Sequence, residues 1–416
     1  MQYDMRGLAV TTNKGTAVAD LDIATRCILA HRKDAGVHLD RALTIDPGLV
    51  IGHGLKGFAQ MLLGRGELAA AARGQALAAR RGLQARGGTP RERALVQALE
   101  LWLGGAMEAS AAALERSVRA CPLDALTFKI CYSVYFMLGD VGGMRRAAEA
   151  ARPAWSASVP DRGFIDGCYA FALEESGELD EAERIGRQAV EIEPQDAWGC
   201  HAVIHVFGTR GEAGAGLGWL EGRRRGFPEL NNFGRHLAWH EALFRLALNQ
   251  TDTVLALYDR EVRDQPTDDY RDVANAASLL WRLERRGIAV GDRWQELANV
   301  AEARLGDSAL VFARLHYLLC LKGSGRIRAT TDMLDCIRRD ARAAAGTQSR
   351  ILAEVGLPLA EIIANPKRLA AESSFAIAAP LDRIGGSRAQ RSTFEMILGD
   401  PPWSASCPRA QAQQEA

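Results

Sequence analysis

The chain has 416 residues, with 51 Lys+Arg balanced by 51 Asp+Glu and a formal net charge of +0 at pH 7. That balance supplies no global field to draw the molecule onto nucleic acid or an anionic membrane, so neither is expected as a partner. Its 48% hydrophobic content supports a sizeable core, and its 8 cysteines form no C-x-x-C pair or compact framework, which fits buried thiols in a reducing compartment.

Residues 1–19 open with MQYDMRGLAV, which mixes charge with short apolar stretches and has no signal-peptide core. This N-terminal segment is expected to pack on the helical body of the chain, and no apolar run approaches the roughly 18 residues of a membrane span. The expected location is therefore cytoplasmic. From residue 20 to 398, helical periodicity dominates and strand-like alternation is nearly absent. Gly or Pro punctuates the chain about every 17 residues, the rhythm of stacked helical hairpins.

The first units are DPGLVIGHGLKGFAQMLLGRGELAAAARGQAL from Asp46, PRERALVQALELWLGGAMEASAAALERSVRACP from Pro90 and PLDALTFKICYSVYFMLGDVGGMRRAAEAARP from Pro122. The clearest is GFIDGCYAFALEESGELDEAERIGRQAVEIEP, residues 163–194, which resembles a tetratricopeptide repeat. Gly177-Glu178 makes its turn, Ala182 fills its crossing and Glu193-Pro194 closes it. Two histidine-bearing units come next, then DVANAASLLWRLERRG and ALVFARLHYLLCLKGSGR. The predicted fold class is all-α, a right-handed α-solenoid of about eight tetratricopeptide-like hairpins forming one domain over 20–398. Residues 399–416, rich in Pro, Ala and Gln, are expected to be a flexible tail.

Four of the 8 histidines fall in two i,i+4 pairs, His201/His205 in CHAVIHVF and His236/His240 in RHLAWHEALF. Four residues is about one helical turn, so each pair projects both rings from one helix face. The offset between pairs is close to the repeat length of about 34 residues. That places the pairs on one stripe of neighbouring repeats and predicts a shared site, with Glu174 and Glu175 one repeat earlier.

The segments AFALEESGELDEAE, DAWGCHAVIHV, HLAWHEALF, LALYD, ASLLWRLERRGIAVGDRW and LHYLL, in this order, resemble the tetratricopeptide repeat protein 38 family. The opening DMRGLAVTTNKGTAVADLD and RERALVQALELWLGG fit it too, so the resemblance spans nearly the whole chain. It implies the helical-repeat fold more than any activity. The matching positions it implies are His201, His205, His236, His240, Trp281 and His316.

The histidines admit four readings. As metal ligands they would bind zinc, iron or manganese, since an i,i+4 imidazole pair is a bidentate arrangement, although no H-E-x-x-H is present. As a general base, one imidazole would be tuned by Asp166, Glu174 or Glu241, making the protein a hydrolase or amide-processing enzyme. In the reading favoured on sequence, they floor a concave groove in which His236, Trp239, His240, Tyr258 and Arg235 grip a peptide terminus or small molecule, with His316 at its edge. In the fourth they are structural, satisfied by interhelical hydrogen bonds.

Cys200 adjoins His201 but points about 100° away on a helix, so the two form no dyad. Trp198 and Trp281 read as packing anchors. The Gly-rich GEAGAGLG from Gly211 follows a helix and lacks the Lys-Ser/Thr element, so no nucleotide cofactor is expected. Assembly of identical chains remains open on sequence.

Overall fold

A computed structural model of the protein describes residues 1–224, 227, 229–343, 346–365 and 380–399. The expected tail lies outside these residues except for Gly399. Helix makes up 75% of the structure, and the only paired strands among the described residues are Gln2–Tyr3 (β1) and Ala9–Val10 (β2), an antiparallel hairpin. The all-helical class expected from the periodicity is found. No helix is long and apolar enough to cross a membrane, among the described residues. The chain forms two compact units, Met1–Gly234 and Arg235–Ala416.

In the first unit helices come in pairs: α1 (Gly15–Leu29) with α2 (Ala35–Ile45), α3 (Val50–Leu62) with α4 (Leu68–Arg86), and α5 (Pro90–Leu103) with α6 (Met107–Ala120). Then come α7 (Ala125–Leu138) with α8 (Val141–Ala151), α9 (Arg162–Glu175) with α10 (Leu179–Ile192), and α11 (Ala197–Arg210) with α12 (Ala213–Arg224). Each helix packs on its pair-mate, and α3 on α5 and α9 on α11 pack across pairs. Helix α10 shows why: Ala182, Ile185, Gly186, Ala189 and Val190 are buried at a three-to-four spacing, while its charged residues face outward. The turns after α9 and α11 use Gly177 (φ +85°) and Gly211 (φ +73°), a left-handed conformation that a Cβ would strain.

The N-terminal hairpin is strapped across this unit by buried polar contacts. Thr11 donates from N and Oγ1 to Glu92 at 3.0 and 2.6 Å, and Thr12 Oγ1 donates to Asp46 at 2.6 Å. Glu92 also closes a capping box with Thr89 at the start of α5, where Pro90 occupies the first helical position. Arg6 and Arg26 both pair with the buried carboxylate of Asp161.

The second unit carries α13 (Phe233–Ala247, beginning at the unit boundary), α14 (Thr251–Leu257), α15 (Tyr270–Arg285), α16 (Arg293–Ala303), α17 (Val311–Gly323) and α18 (Ile327–Ala343). Short α19 (Thr347–Ile351), α20 (Leu357–Ala364) and α21 (Arg388–Gly399) complete it. Trp239, Trp281 and Trp294 are its largest fully buried side chains, so the packing role expected of Trp281 holds. Arg282 fastens α21 to α15, donating to Thr393 Oγ1 (2.7 Å), Ala389 O (3.0 Å) and Ser392 Oγ (2.8 Å).

Candidate metal centre

In the first unit the site is built on α9 and α11. Every residue of α11 from Ala197 to Phe207 is buried, His201 and His205 included, which requires that both imidazoles be satisfied inside the protein. Their ring centroids are 4.3 Å apart, so the spacing does place both on one helix face. Helices α9 and α11 approach closely because both are glycine where they cross: a Cβ on Gly167 would lie 2.8 Å from the Gly199 Cα. That approach brings Glu174 and Glu175, at the end of α9, against His205.

His205 Nδ1 lies 3.3 Å from Glu174 Oε2 and 3.8 Å from Glu175 Oε1, and all three side chains are at most 2% exposed. The Thr209 hydroxyl donates to Glu174 Oε1 at 2.9 Å. One ligand atom from each of Glu174, Glu175 and His205 falls within 4.8 Å of the others, a set that could hold a metal ion. Aromatic rings pack beside it: Phe171 lies 5.1 Å from the His205 ring and stacks on His201 at 5.3 Å, and Trp198 lies 5.1 Å from His201.

In the second unit His236 and His240 are again one turn apart and buried, and their Nε2 atoms are 3.2 Å from each other. The Nδ1 of His236 lies 3.2 Å from Asn275 Oδ1, and that oxygen also accepts from Gln390 Nε2 at 3.2 Å. An acceptor at Nδ1 fixes the ring proton there and leaves Nε2 as the lone-pair donor. Trp239 stacks on His236 at 5.3 Å and spends its indole N–H on Ser278 Oγ at 3.0 Å. It holds the rings from behind and is wholly buried. His201, His205, His236 and His240 are all buried.

Other residues singled out on sequence have partners of their own. Asp166 is engaged by Arg152 (2.8 Å) and Arg162 (3.2 Å). Arg235 is paired with Asp264 at 2.7 Å and Asp272 at 3.4 Å, and Glu241 with Arg245 at 2.8 Å. Tyr258 is buried beneath Arg293, whose guanidinium lies 5.9 Å from its ring, and burial raises its pKa. His316 donates from Nδ1 to Phe312 O at 2.8 Å and packs on Phe312 and Phe394. Burial lowers its pKa to about 4, which keeps it neutral.

Two contributors went unread in the sequence, Asn275 and Gln390. Asn275 had a signal, a lone amide in the apolar run of α15, because a buried amide must find partners. Gln390 had none, since it meets Asn275 across 115 residues of chain. A scan against protein-family models finds none that matches.

Proposed function

We propose that the protein is a helical-repeat metalloprotein, in which buried imidazoles bind a divalent transition ion through Nε2 and act on a small molecule. The observation that carries this reading is repeated in both units. In each, a histidine has Nδ1 against a fixed oxygen, Glu174 Oε2 for His205 and Asn275 Oδ1 for His236, which is the outer-shell arrangement that orients metal-ligating histidines. Neutral imidazole suits zinc, iron and manganese, and a water on such an ion is acidic enough to supply hydroxide near neutral pH for a hydrolytic or amide-cleaving reaction.

A second reading, a groove that holds a peptide or small molecule without metal, draws on the stacking of Phe171 and Trp198 around His201.

Elemental analysis of protein purified without an affinity tag separates the two. Near-stoichiometric zinc, iron or manganese is expected, with a rise in melting temperature when the ion is restored to stripped protein. Protein that carries no metal and gains no stability from any of the three ions would exclude the metal reading.

A further inference from the structure

A cleft of about 510 Å³ opens in the first unit, lined by α5, α6 and the N-terminal hairpin, a volume within the range of small-molecule sites. One stripe of each helix forms its walls. Pro90, Ala94 and Gln97 line it from α5, and Ala113, Ser117 and Ala120 from α6. Each set is spaced by four and three residues, which puts it on a single helix face. The hollow follows from side-chain size, because alanine methyls stand where larger groups would interdigitate and fill the space. Leu8 adds an apolar wall from the hairpin, and among the described residues neither an aromatic nor an acidic side chain lines the cleft.

Two polar groups of this lining have no protein partner. Ser117 is 7% exposed, yet its hydroxyl makes no hydrogen bond among the described residues. Thr25, Ser133 and Ser176 behave differently, each donating to the carbonyl four residues back at 2.8, 2.8 and 2.7 Å, the usual way a hydroxyl is satisfied within a helix. The two arginines of the cleft differ in the same sense. Arg91 is spent on Asp4 (3.1 Å), Asp124 (3.4 Å) and the Ala9 carbonyl (3.2 Å). Arg116 is exposed and has no carboxylate within ion-pair distance among the described residues. The cleft therefore carries one uncompensated positive charge beside apolar walls.

We propose that this cleft binds an aliphatic monocarboxylate, its chain lying along the alanine stripes and its carboxylate held by Arg116 and Ser117. A guanidinium presents a planar fork that matches a carboxylate, and the Ser117 hydroxyl supplies a further donor. One unmatched charge calls for one acid group. From Pro90 to Gln97 the wall runs about 10 Å at the helical rise, which calls for a chain of medium length. The cleft shares no residue with the histidine centre, so it stands or falls apart from the metal reading.

Calorimetry on the intact chain tests the assignment with three probes: octanoate, octanamide and acetate. Octanoate should bind with a Kd below about 1 mM, octanamide at least about tenfold more weakly, and acetate without measurable heat. Arg116→Gln, a change at an exposed position, should bring octanoate down to the affinity of the amide and leave octanamide unchanged. Ala94→Leu fills the cleft and should abolish binding of both eight-carbon probes. If the Ala94→Leu chain does not fold, Arg116→Gln carries the test alone. Equal binding of octanoate and octanamide, undiminished octanoate affinity in Arg116→Gln or in a folded Ala94→Leu chain, or no binding of any probe overturns the proposal. A carboxylate bound on a metal ion would be indifferent to Arg116, so the two sites are told apart by the same variant.

Discussion

His236 and His240 meet Nε2 to Nε2 at 3.2 Å. Two imidazoles on one ion, each about 2.0–2.1 Å from it, span that edge when they subtend about 100° at the metal. With Nδ1 of His236 against Asn275, its Nε2 is an acceptor, so either His240 donates to it or both face a cation. The metal reading predicts that His240→Ala reduces bound zinc, iron or manganese to a small fraction of the wild-type content. The variant should also lose the stabilisation conferred by added ion, at a fold cost of about 1–2 kcal/mol for the lost buried contact. A metal content equal to that of the wild type, together with a lower melting temperature, would show the pair to be purely structural.

Asn275 acts on the same site through His236, and its replacement isolates that role. Asn275→Ala removes the oxygen that fixes the Nδ1 proton, and outer-shell losses of this kind typically cost about 10–100-fold in metal affinity. Asn275→Asp preserves an acceptor and should remain close to wild type. Gln390→Ala should fall between them, because Gln390 only anchors the Asn275 oxygen. Competition against a chromophoric chelator reads all three, and an Asn275→Ala chain with undiminished affinity would remove Asn275 from the site.

The histidine stripes were legible because i,i+4 spacing is a local property of a helix, and the ring separations of 4.3 and 4.7 Å come from it. The Gly177 and Gly211 turns were legible for the same reason. For Tyr258, Arg235 and Asp166, charge and aromaticity did not reveal their partners. Each is taken up by packing or by an ion pair that depends on where another segment lies. Lys129 carried no mark in the apolar run LTFKICYSVYF, where one lysine reads as an exposed position. Only the packing of α7 among its neighbours turns it inward.

The N-terminal strap should depend on Glu92 more than on any surface ion pair. Its carboxylate accepts from Thr11 N, Thr11 Oγ1 and Thr89 N at 3.0, 2.6 and 2.8 Å, and it is fully buried. Glu92→Ala strands those donors, so a loss of roughly 2–4 kcal/mol is expected in urea unfolding. Limited proteolysis should then cut within residues 1–14. Exposed Arg80–Glu100 is the control, where Glu100→Ala should cost under about 1 kcal/mol. Comparable losses at the two sites would show that the strap contributes nothing beyond a surface contact.

Asp196 gives the fold a pH signature of unusual sign. Burial pushes its pKa from 3.8 up to about 7, opposed in part by the Gly199 amide and by Lys129. Between those values the folded protein keeps a proton that the unfolded chain has released, so stability falls as pH rises from about 4 to about 7 and levels off above. Asp196→Asn keeps the shape and removes the titration. The stability of the variant relative to wild type should therefore grow from pH 5 to 7.5 by about 2–3 kcal/mol, since each unit of pH across the window is worth about 1.4 kcal/mol. Paired urea titrations across that range measure the slope. A difference that shrinks with rising pH would mean that Lys129 stabilises the charged carboxylate, and that the folded pKa of Asp196 lies below that of the unfolded chain.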